Sequence, residues 1–341
     1  MRTLNARLTV VGVCAVSVGA TLLGQAPSPS PAAAPHVAAA KAAAGTDQLM
    51  LFNQLCVPPP AAAPRPQAAA APAAAPQGPP PRSAWHAEPA KVFDNLYFLG
   101  MTEYTAWAVT TSDGIIVIDP LFDYSVEDEV VNGLTTLGLD PKRIRYVLVS
   151  HAHTDHVGGA RLLQDRFGAK VVMSAADWEL VATDPASYPK PKKDVVAVDG
   201  QKLTLGDTTL TLYLTPGHTL GTISTIIPVK DNGRPHTAML WGGTNFNWRN
   251  NGGARYITAE RPATFWYQQY GSSARKMKDI AAKTNADVLL SNHSNYDGTK
   301  TKLPALMKRK AGDAHPYVIG AANIGRFLTV ADECAKAGPL W

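Results

Sequence analysis

Three histidines and one aspartate lie within a single run of six residues, 151–156, with the sequence HAHTDH. In an extended backbone the side chains of residues i and i+2 point to the same side, so His151 and His153 would share one face. The glycines at 158 and 159 permit a tight approach of the chain before a helix begins. Because zinc binds histidine nitrogen and carboxylate oxygen, the run predicts a zinc site. The alternative interpretation is a solvated polar loop after a buried strand.

Two further histidines are predicted to lie where a strand ends in a turn. His218 occurs in a Thr-Pro-Gly-His-Thr segment after the predicted strand 208–215, and His293 follows the predicted strand 287–291. Loops at strand ends carry many functional side chains, which favours both histidines as site residues over ordinary loop positions. We interpret His36 as part of an N-terminal tether. The remaining histidines are interpreted as surface or structural residues: His86, His236 and His315.

Periodicity predicts one domain of strands and helices over residues 85–341. Alternating and β-branched stretches predict strands over 92–99, 105–111, 114–119, 144–149, 170–173, 201–205, 208–215, 223–229, 236–241 and 287–291. Apolar residues at helical spacing predict helices over 126–137, 160–167, 175–181, 261 to about 282, and 321–337. Runs of strands with interspersed helices favour an α+β fold, in which two packed sheets are covered by helices on both outer faces.

The first 26 residues have the pattern of an export signal. Arg2 and Arg7 precede an apolar stretch over 8–23, which small residues follow. This stretch is short for a membrane span and is interrupted by glycines, so we expect cleavage rather than a permanent membrane anchor. The mature protein would then be exported, to the periplasm or out of the cell, and would keep no stable membrane span.

Alanine and proline dominate residues 27–84, a composition that buries too little apolar surface to offset the entropy lost on ordering. We predict a disordered tether with polyproline character there. The short segment 48–57 is the exception, because Leu51, Phe52 and Leu55 would dock it onto the folded domain.

Cysteine and charge content bear on the compartment and on partners. In an oxidising compartment Cys56 could pair with Cys334 and tie the N-terminal segment to the last helix; the alternative is two unpaired thiols.

Five basic and two acidic residues in 1–90 account for +3 of the formal net charge of +5, which leaves +2 for the predicted domain. A nucleic-acid partner would require a denser basic face, so we expect a small-molecule substrate instead.

With its motifs in this order, the chain resembles the metallo-β-lactamase fold superfamily over nearly all of residues 90–341. The family signature is a His-x-His-x-Asp-His run, then a Pro-Gly-His turn and then a later lone histidine, and this chain carries all three. The resemblance implies an αβ/βα four-layer sandwich with two zinc ions in the cleft between the sheet edges. It also implies two ligand sets: His151, His153 and His218 for the first zinc, and Asp155, His156 and His293 for the second.

One departure from the family pattern narrows the range of functions that the resemblance implies. Many superfamily hydrolases, thioesterases and lactonases among them, have a metal-bridging aspartate in a Gly-Asp-Thr segment, but here Gly243 stands in its place. A site without a bridging aspartate and without a cysteine ligand is similar to subclass B3. This resemblance implies a hydrolase that opens the amide ring of β-lactams with a metal-bound hydroxide, which Asp155 would orient.

The loop after Trp241 is the predicted source of substrate contacts, although subclass B3 more usually has serines in it. The predicted contacts are Thr244 and Asn245, as partners of a substrate carboxylate, and Trp248 and Tyr256, as walls of the cleft. Phe265 and Trp266 are instead predicted to pack a helix on the sheet.

Two other functions stay open at this point. The same ligands would serve an exported metallohydrolase that acts on a lactone, an ester or another cyclic amide. A non-catalytic zinc-binding protein is suggested by the long tether, although six ligands around an open site have little structural purpose.

Overall fold

The structure, a computed structural model, describes residues 28–58, 78–249 and 253–341, and these residues form two β-sheets. The first sheet has seven strands in chain order: β1 (Ala90–Phe93), β2 (Leu96–Phe98), β3 (Trp107–Thr111), β4 (Gly114–Ile118), β5 (Ile144–Leu148), β6 (Lys170–Ser174) and β7 (Val195–Ala197). Strands β1 to β4 pair antiparallel, and β4 to β7 pair parallel. The parallel half needs crossover connections, so helices lie between its strands.

The second sheet has five strands: β8 (Gln201–Leu205), β9 (Thr208–Leu214), β10 (Ile223–Asp231), β11 (Arg234–Trp241) and β12 (Val288–Ser291). The strands β8 to β11 form an antiparallel meander, and β12 pairs parallel with β11 at the edge. The carboxyl ends of β9 and β12 therefore deliver the chain directly to the loops that contain His218 and His293.

The described residues contain nine α-helices: α1 (Ala34–Ala44), α2 (Leu49–Leu55), α3 (Asn132–Thr136), α4 (Thr154–Val157), α5 (Ala160–Phe167), α6 (Ala175–Thr183), α7 (Ala263–Lys283), α8 (Thr299–Met307) and α9 (Ala321–Ala337). A π-helical turn, Glu127–Val131, leads into α3. Short 3-10 turns occupy Arg82–Ala84, Pro141–Arg143, Asn247–Arg249, Gly253–Tyr256 and Gly338–Leu340.

Three apolar clusters hold these elements in four layers. Along β4, Ile116 and Ile118 face a core shared by the two sheets, whereas Ile115 and Val117 face the helices α3 to α6. This alternation is the period-two pattern of a strand buried on both faces. On the far side, Trp241 of β11 packs in a third cluster with residues of α7 and α9. The predicted α+β sandwich, with helices on both outer faces, is confirmed.

Most predicted elements are confirmed, and α5 and α9 match their predicted ranges. The prediction of one strand over 92–99 is wrong, because β1 and β2 form a hairpin that turns at Asp94 and Asn95, two residues that favour turns. Strand β7 and helix α8 were not predicted. Strand β7 has only three residues, and α8 contains Pro304, a residue that normally indicates the end of a helix.

The predicted tether over 27–84 needs correction for residues 34–55, where α1 and α2 pack on α9. Seven of the eleven residues of α1 are alanine, the residue with the highest helix propensity, so composition alone did not distinguish a docked helix from a tether. Leu51 and Leu55 are buried, as predicted for the docking segment, and Phe52 packs beside them.

A disulfide bond joins Cys56 to Cys334 of α9, with the Cα atoms 4.8 Å apart. Of the two interpretations of these cysteines from the sequence, the structure has the paired one. The predicted signal, 1–26, and the alanine- and proline-rich stretch 59–77 lie outside the described residues. Among the helices of the described ranges, none combines the length and apolar character that crossing a bilayer requires.

Candidate active site

The run 151–156 follows β5 and spans the start of α4. His153 has extended backbone angles, φ −87° and ψ 151°, and directly precedes the first residue of the helix. His151 and His153 therefore come from the extended part of the loop, and Asp155 and His156 come from the helix.

The remaining two histidines come from the second sheet. His218 follows β9 through Gly217, a position that requires glycine for two reasons. Its φ is 145°, and an added Cβ would lie 2.6 Å from Cα of Tyr270. His293 follows β12, and its backbone forms an isolated bridge with Tyr104. The site thus lies where the carboxyl ends of strands from both sheets meet.

The structure brings the six predicted ligands together as two adjacent trios. The first trio comprises His151, His153 and His218, and the second comprises Asp155, His156 and His293. Within each trio the potential ligand atoms all lie within 4.8 Å of one another. The rings of His151 and His156 have centroids 4.3 Å apart, so the two trios share one cleft.

Hydrogen bonds fix the tautomers of two histidines in the first trio. His151 donates from Nδ1 to the Gly242 carbonyl at 2.7 Å, and His218 donates from Nδ1 to the Asn245 carbonyl at 2.7 Å. The opposite nitrogens, both Nε2, then carry lone pairs, yet they lie only 3.1 Å apart. Burial and the neighbouring histidines lower the pKa of both rings well below the usual range, so protons do not relieve this repulsion. A divalent metal ion between the lone pairs would relieve it, so the donor set fits a metal.

The second trio is an acid–base cluster. Burial alone would raise the pKa of Asp155, but the charge of His156, with Nε2 3.1 Å from Oδ2, lowers it well below the usual range. Burial would lower the pKa of His156, but Asp155 and Asp119 raise it to about 10. Burial and the charge of His156 lower the pKa of His293 to about 4. A cation bound here would replace the proton shared by His156 and Asp155.

Buried polar residues support the first trio from behind. The amide Nδ2 of Asn292 lies 3.2 Å from Nδ1 of His151 and donates to the Gly242 carbonyl at 2.6 Å. Asp119 accepts hydrogen bonds from the backbone and the hydroxyl of Ser150, both at 2.7 Å. Asp119 Oδ2 also lies 3.3 Å from Nδ1 of His156, although the geometry there is not that of a hydrogen bond. These contacts orient the ligands, as buried outer partners do in metal sites.

A second buried carboxylate, that of Asp177 at the start of α6, joins two loops of the site. Its Oδ2 accepts from the Ala152 backbone at 2.9 Å and from the Thr219 hydroxyl at 3.0 Å. Its Oδ1 accepts from the Gly221 backbone at 3.1 Å. Burial raises the pKa of Asp177 to about 6, even though these hydrogen bonds lower it.

Residues 100–231, which contain four of the five site histidines, match the sequence profile of the metallo-beta-lactamase superfamily. This match places a metallo-β-lactamase superfamily domain at residues 100–231. BJP-1, a subclass B3 metallo-beta-lactamase of Bradyrhizobium japonicum, has a similar structure, with a TM-score of 0.62 and 26% identity over 72% of this chain and 91% of that one. Native FEZ-1 from Legionella gormanii gives a TM-score of 0.62 and 25% identity over 72% of this chain and 93% of that one. The predicted metallo-β-lactamase fold is confirmed.

Curated relatives of this metallo-β-lactamase domain include hydroxyacylglutathione hydrolases. That of Acidiphilium cryptum is 31% identical over 119 residues, which are 35% of this chain and 42% of the relative. That of Pseudomonas aeruginosa is 32% identical over 88 residues, which are 26% of this chain and 30% of the relative. The chain thus matches less than half the length of these relatives.

Gly243, the residue that the family resemblance places at the position of a bridging aspartate, packs against the predicted ligand His218. A Cβ at this position would lie 2.5 Å from Cβ of His218 and 2.6 Å from its Cγ. Real Cβ contacts are essentially never this short, so His218 occupies the space that an aspartate side chain would need. In this arrangement, a side chain at residue 243 would have to displace His218.

Two of the four predicted substrate contacts lie near the trios. The Tyr256 hydroxyl is 2.9 Å from Nε2 of His153, at the rim of the first trio. The side chain of Asn245 is partly exposed, and its Oδ1 accepts a hydrogen bond from the Tyr296 hydroxyl at 2.8 Å. Their positions are compatible with the predicted role.

The other two predicted contacts need correction. Thr244 is only 1% exposed, with its hydroxyl 3.4 Å from that of Ser291, so it does not line the cleft. Trp248 is 6% exposed and stacks on Trp266, with ring centroids 5.7 Å apart. The sequence prediction that Trp266 packs a helix on the sheet is confirmed, and Trp248 belongs to the same aromatic cluster.

Sequence reasoning missed several polar residues of the site, among them Asp119, Asp177 and Asn247. Asp119 follows a buried strand directly, a position where a polar residue indicates a site. Asp177 stands three residues after the N-cap Ser174, so its pattern resembles an ordinary helix cap. Asn247 lies in the 3-10 turn Asn247–Arg249, and its amide Nδ2 is 2.9 Å from Nε2 of His218.

Proposed function

We propose that this protein is an exported two-zinc hydrolase that opens the amide ring of β-lactams. The observation that carries the proposal is the pair of adjacent trios, in which buried lone pairs of His151 and His218 face each other 3.1 Å apart. Zinc takes histidine nitrogen and carboxylate oxygen in catalytic sites, and these are the donors that the two trios together offer. The structural likeness to subclass B3 enzymes supports β-lactams as the substrate class.

Zinc ions held by the two trios would supply Lewis-acid polarisation of a carbonyl and activation of a water molecule. The chain itself contributes orientation. Asp155, which places Oδ2 between His156 and His293, has a second carboxylate oxygen that would position the attacking water. The Tyr256 hydroxyl at the rim of the first trio would donate a hydrogen bond to an oxygen of the substrate.

The packing at Gly243 supports β-lactam hydrolysis over thioester hydrolysis. Thioesterases of the superfamily use a bridging aspartate at this position, and here the side chain of His218 fills its space. A site with three histidines in one trio, and an aspartate with two histidines in the other, is the arrangement that subclass B3 resemblance implies. The geometry thus favours β-lactams over thioesters.

A second candidate is a metallohydrolase with the same ligands that acts on another carbonyl substrate. The hydroxyacylglutathione hydrolases among the relatives favour a thioester, and the sequence alone leaves a lactone, an ester or another cyclic amide open. This alternative shares all six ligands with the first, so only the substrate distinguishes them.

A chelator-controlled hydrolysis assay tests the proposal. Purified protein would be analysed for zinc, then assayed on a chromogenic cephalosporin, a penicillin, a carbapenem and a hydroxyacylglutathione thioester, each with and without EDTA. We expect two zinc ions per chain and chelator-sensitive β-lactam hydrolysis. His151→Ala should abolish turnover, whereas His36→Ala, a matched change at a histidine paired with Glu333 far from the site, should retain it.

Each outcome decides between the candidates. Turnover of the thioester without turnover of any β-lactam would support the second candidate and exclude the first. Bound zinc without hydrolysis of any substrate would support a non-catalytic zinc-binding protein instead.

Export to the periplasm or beyond is part of the same proposal. The signal-like residues 1–26 and the Cys56–Cys334 disulfide support it, because disulfides persist in oxidising compartments. Fractionation of expressing cells, with mass determination of the chain, tests it; an intact chain in the cytosol would contradict it. An exported enzyme of this kind would also raise the resistance of its host to β-lactam antibiotics.

A further inference from the structure

Arg249 joins the loop after β11 to the docked N-terminal segment, residues 28–58. Its guanidinium donates from Nη2 to the Val57 carbonyl at 2.8 Å and from Nη1 to the Leu55 carbonyl at 3.5 Å. Leu55 is the last residue of α2, where a helix leaves carbonyls without backbone partners and favours a cation. The two carbonyls flank Cys56, which the disulfide with Cys334 fixes to α9. Arg249 therefore binds the segment at the point where a covalent bond anchors it.

The same loop orients one of the predicted ligands. The Asn245 carbonyl accepts the 2.7 Å hydrogen bond from Nδ1 of His218 that fixes the tautomer of this ring. Between Asn245 and Arg249 the backbone forms a compact turn. The Asn247 N–H donates to the Asn245 carbonyl at 3.1 Å, and the Arg249 N–H donates to the Phe246 carbonyl at 2.9 Å. Because the turn is compact, a displacement of Arg249 also displaces the carbonyl that holds His218.

Hydrogen bonding by Arg249 gives the turn a fixed direction that packing alone does not give. Trp248 lies against two aromatic rings of α7, but its buried Nε1 has no hydrogen-bond partner among the described residues. The Arg249 guanidinium, in contrast, donates to two carbonyls and also lies over the ring of Phe246, 5.9 Å from the centroid. Arg249 thus connects the turn to α2 by contacts that depend on orientation.

We propose that Arg249 is a positioning residue of the first trio, and that the disulfide holds this residue in place through the docked segment. The segment fixes Arg249, Arg249 fixes the turn, and the Asn245 carbonyl then orients His218. Outer partners of this kind set the orientation and the metal affinity of a ligating histidine. Reduction of the Cys56–Cys334 bond therefore weakens the site from a distance. The consequence for zinc and for turnover rests on the proposed function, whereas the consequence for the loop requires no ion.

Hydrogen exchange of the metal-free protein tests the effect on the loop. Arg249→Ala should accelerate exchange of the amides of residues 245–248 by about tenfold, which corresponds to the loss of one hydrogen bond from a charged donor. Arg249→Lys keeps the positive charge but not the two-pronged geometry, so it should give an intermediate rate. The matched control is Arg275→Ala, because Arg275 of α7 pairs with Asp332 of α9 and should leave this loop unchanged.

A double-mutant cycle tests the route through the disulfide. Cys56→Ser/Cys334→Ser should also accelerate exchange of residues 245–248, and wild type treated with dithiothreitol should behave in the same way. Addition of Arg249→Ala to the serine variant should then have little further effect, since both changes interrupt one connection. Fully additive effects would overturn the role of the disulfide.

Zinc affinity distinguishes positioning from a contribution to stability alone. Titration against a chromophoric chelator should show zinc binding about tenfold weaker in Arg249→Ala, intermediate in Arg249→Lys and unchanged in Arg275→Ala. Exchange accelerated equally throughout the domain, with zinc affinity unchanged, would overturn the positioning role, even if turnover fell. An unchanged exchange rate in residues 245–248 would overturn it as well. Wild-type protein that binds no zinc would instead overturn the proposed function, so the two failures are distinguishable.

Discussion

The Asp177 carboxylate accepts a 2.9 Å hydrogen bond from the backbone N–H of Ala152, the residue between the first two ligands. The same carboxylate accepts hydrogen bonds from Thr219 and Gly221, which follow the ligand His218. One buried side chain thus connects the loop after β5, in the first sheet, to the loop after β9, in the second. The relative position of His151, His153 and His218 depends on this connection.

Removal of this carboxylate should weaken both the fold and the metal site. Asp177→Ala leaves two backbone N–H groups and one hydroxyl without their buried acceptor, at a cost of about 3 kcal/mol in the free energy of unfolding. Zinc affinity should fall by about 10- to 100-fold, as it does when outer partners of ligands are removed. Urea denaturation and zinc titration measure the two effects. Asp165→Ala, at an exposed residue paired with Arg161, is the control and should change stability by less than about 0.5 kcal/mol.

The raised pKa of Asp177 predicts a pH dependence of stability. Burial raises this pKa from 3.8 to about 6, so the folded state binds a proton more tightly than the unfolded state. Between about pH 4 and pH 6 the folded state then carries more protons, and stability decreases as pH rises through this window. The decrease should reach about 3 kcal/mol for this group.

Asp177→Asn isolates this contribution, because asparagine does not titrate. Urea denaturation of the metal-free proteins at several pH values from 4 to 7 would give the difference in the free energy of unfolding between wild type and variant. We expect the stability of wild type relative to the variant to decline across that range. Parallel curves of stability against pH for the two proteins would show that Asp177 has the same pKa in the folded and unfolded states. That outcome would contradict the prediction.

Glycine at residue 243 should be essential for metal binding. Gly243→Ala places a Cβ 2.5 Å from that of His218, so the ligand or the strand must move, with a loss of about 1–3 kcal/mol in stability. Zinc affinity should fall as His218 is displaced. Gly325→Ala is a matched control in α9, where an added Cβ meets no atom within 4 Å, and it should increase stability by up to about 1 kcal/mol. Equal zinc affinity in both variants would contradict the steric argument.

The disulfide between Cys56 and Cys334 should stabilise the whole domain. Its partners are separated by 278 positions in the sequence, so it constrains a large loop of the unfolded chain. The double variant Cys56→Ser/Cys334→Ser should lose about 2–5 kcal/mol in thermal or urea denaturation. Reductant should lower the stability of wild type to that of the variant and leave the variant unchanged. A wild type insensitive to reductant in the denaturation experiment would contradict this expectation.

The sequence predicts the two sheets and the six trio residues because both depend on local patterns. Alternation along β4 and the spacing of apolar residues in α9 indicate burial directly. His151, His153, His218 and His293 are recognisable because each follows a strand, and the family resemblance assigns them to the same two groups that the structure brings together.

The loop after β11 was predicted less well, because its side chains are placed by tertiary packing. Trp248 and Tyr256 are both aromatic residues next to a stretch rich in asparagine and glycine, and local sequence does not distinguish them. Trp248 turns inward because Trp266 and Tyr267 of α7 provide a buried aromatic surface, whereas the Tyr256 hydroxyl finds a partner in His153. The docking of α1 was missed for the same reason, since only α9 distinguishes it from a tether.

The anchoring of residues 28–58 has a consequence for a cleaved form of the protein. The stretch 59–77 joins two parts of the chain that are also connected through Cys56 and Cys334. A protease that cuts once within this stretch would produce two polypeptides that stay covalently joined by sulfur. Such a nicked protein would migrate as a single species until a reductant separates the fragments.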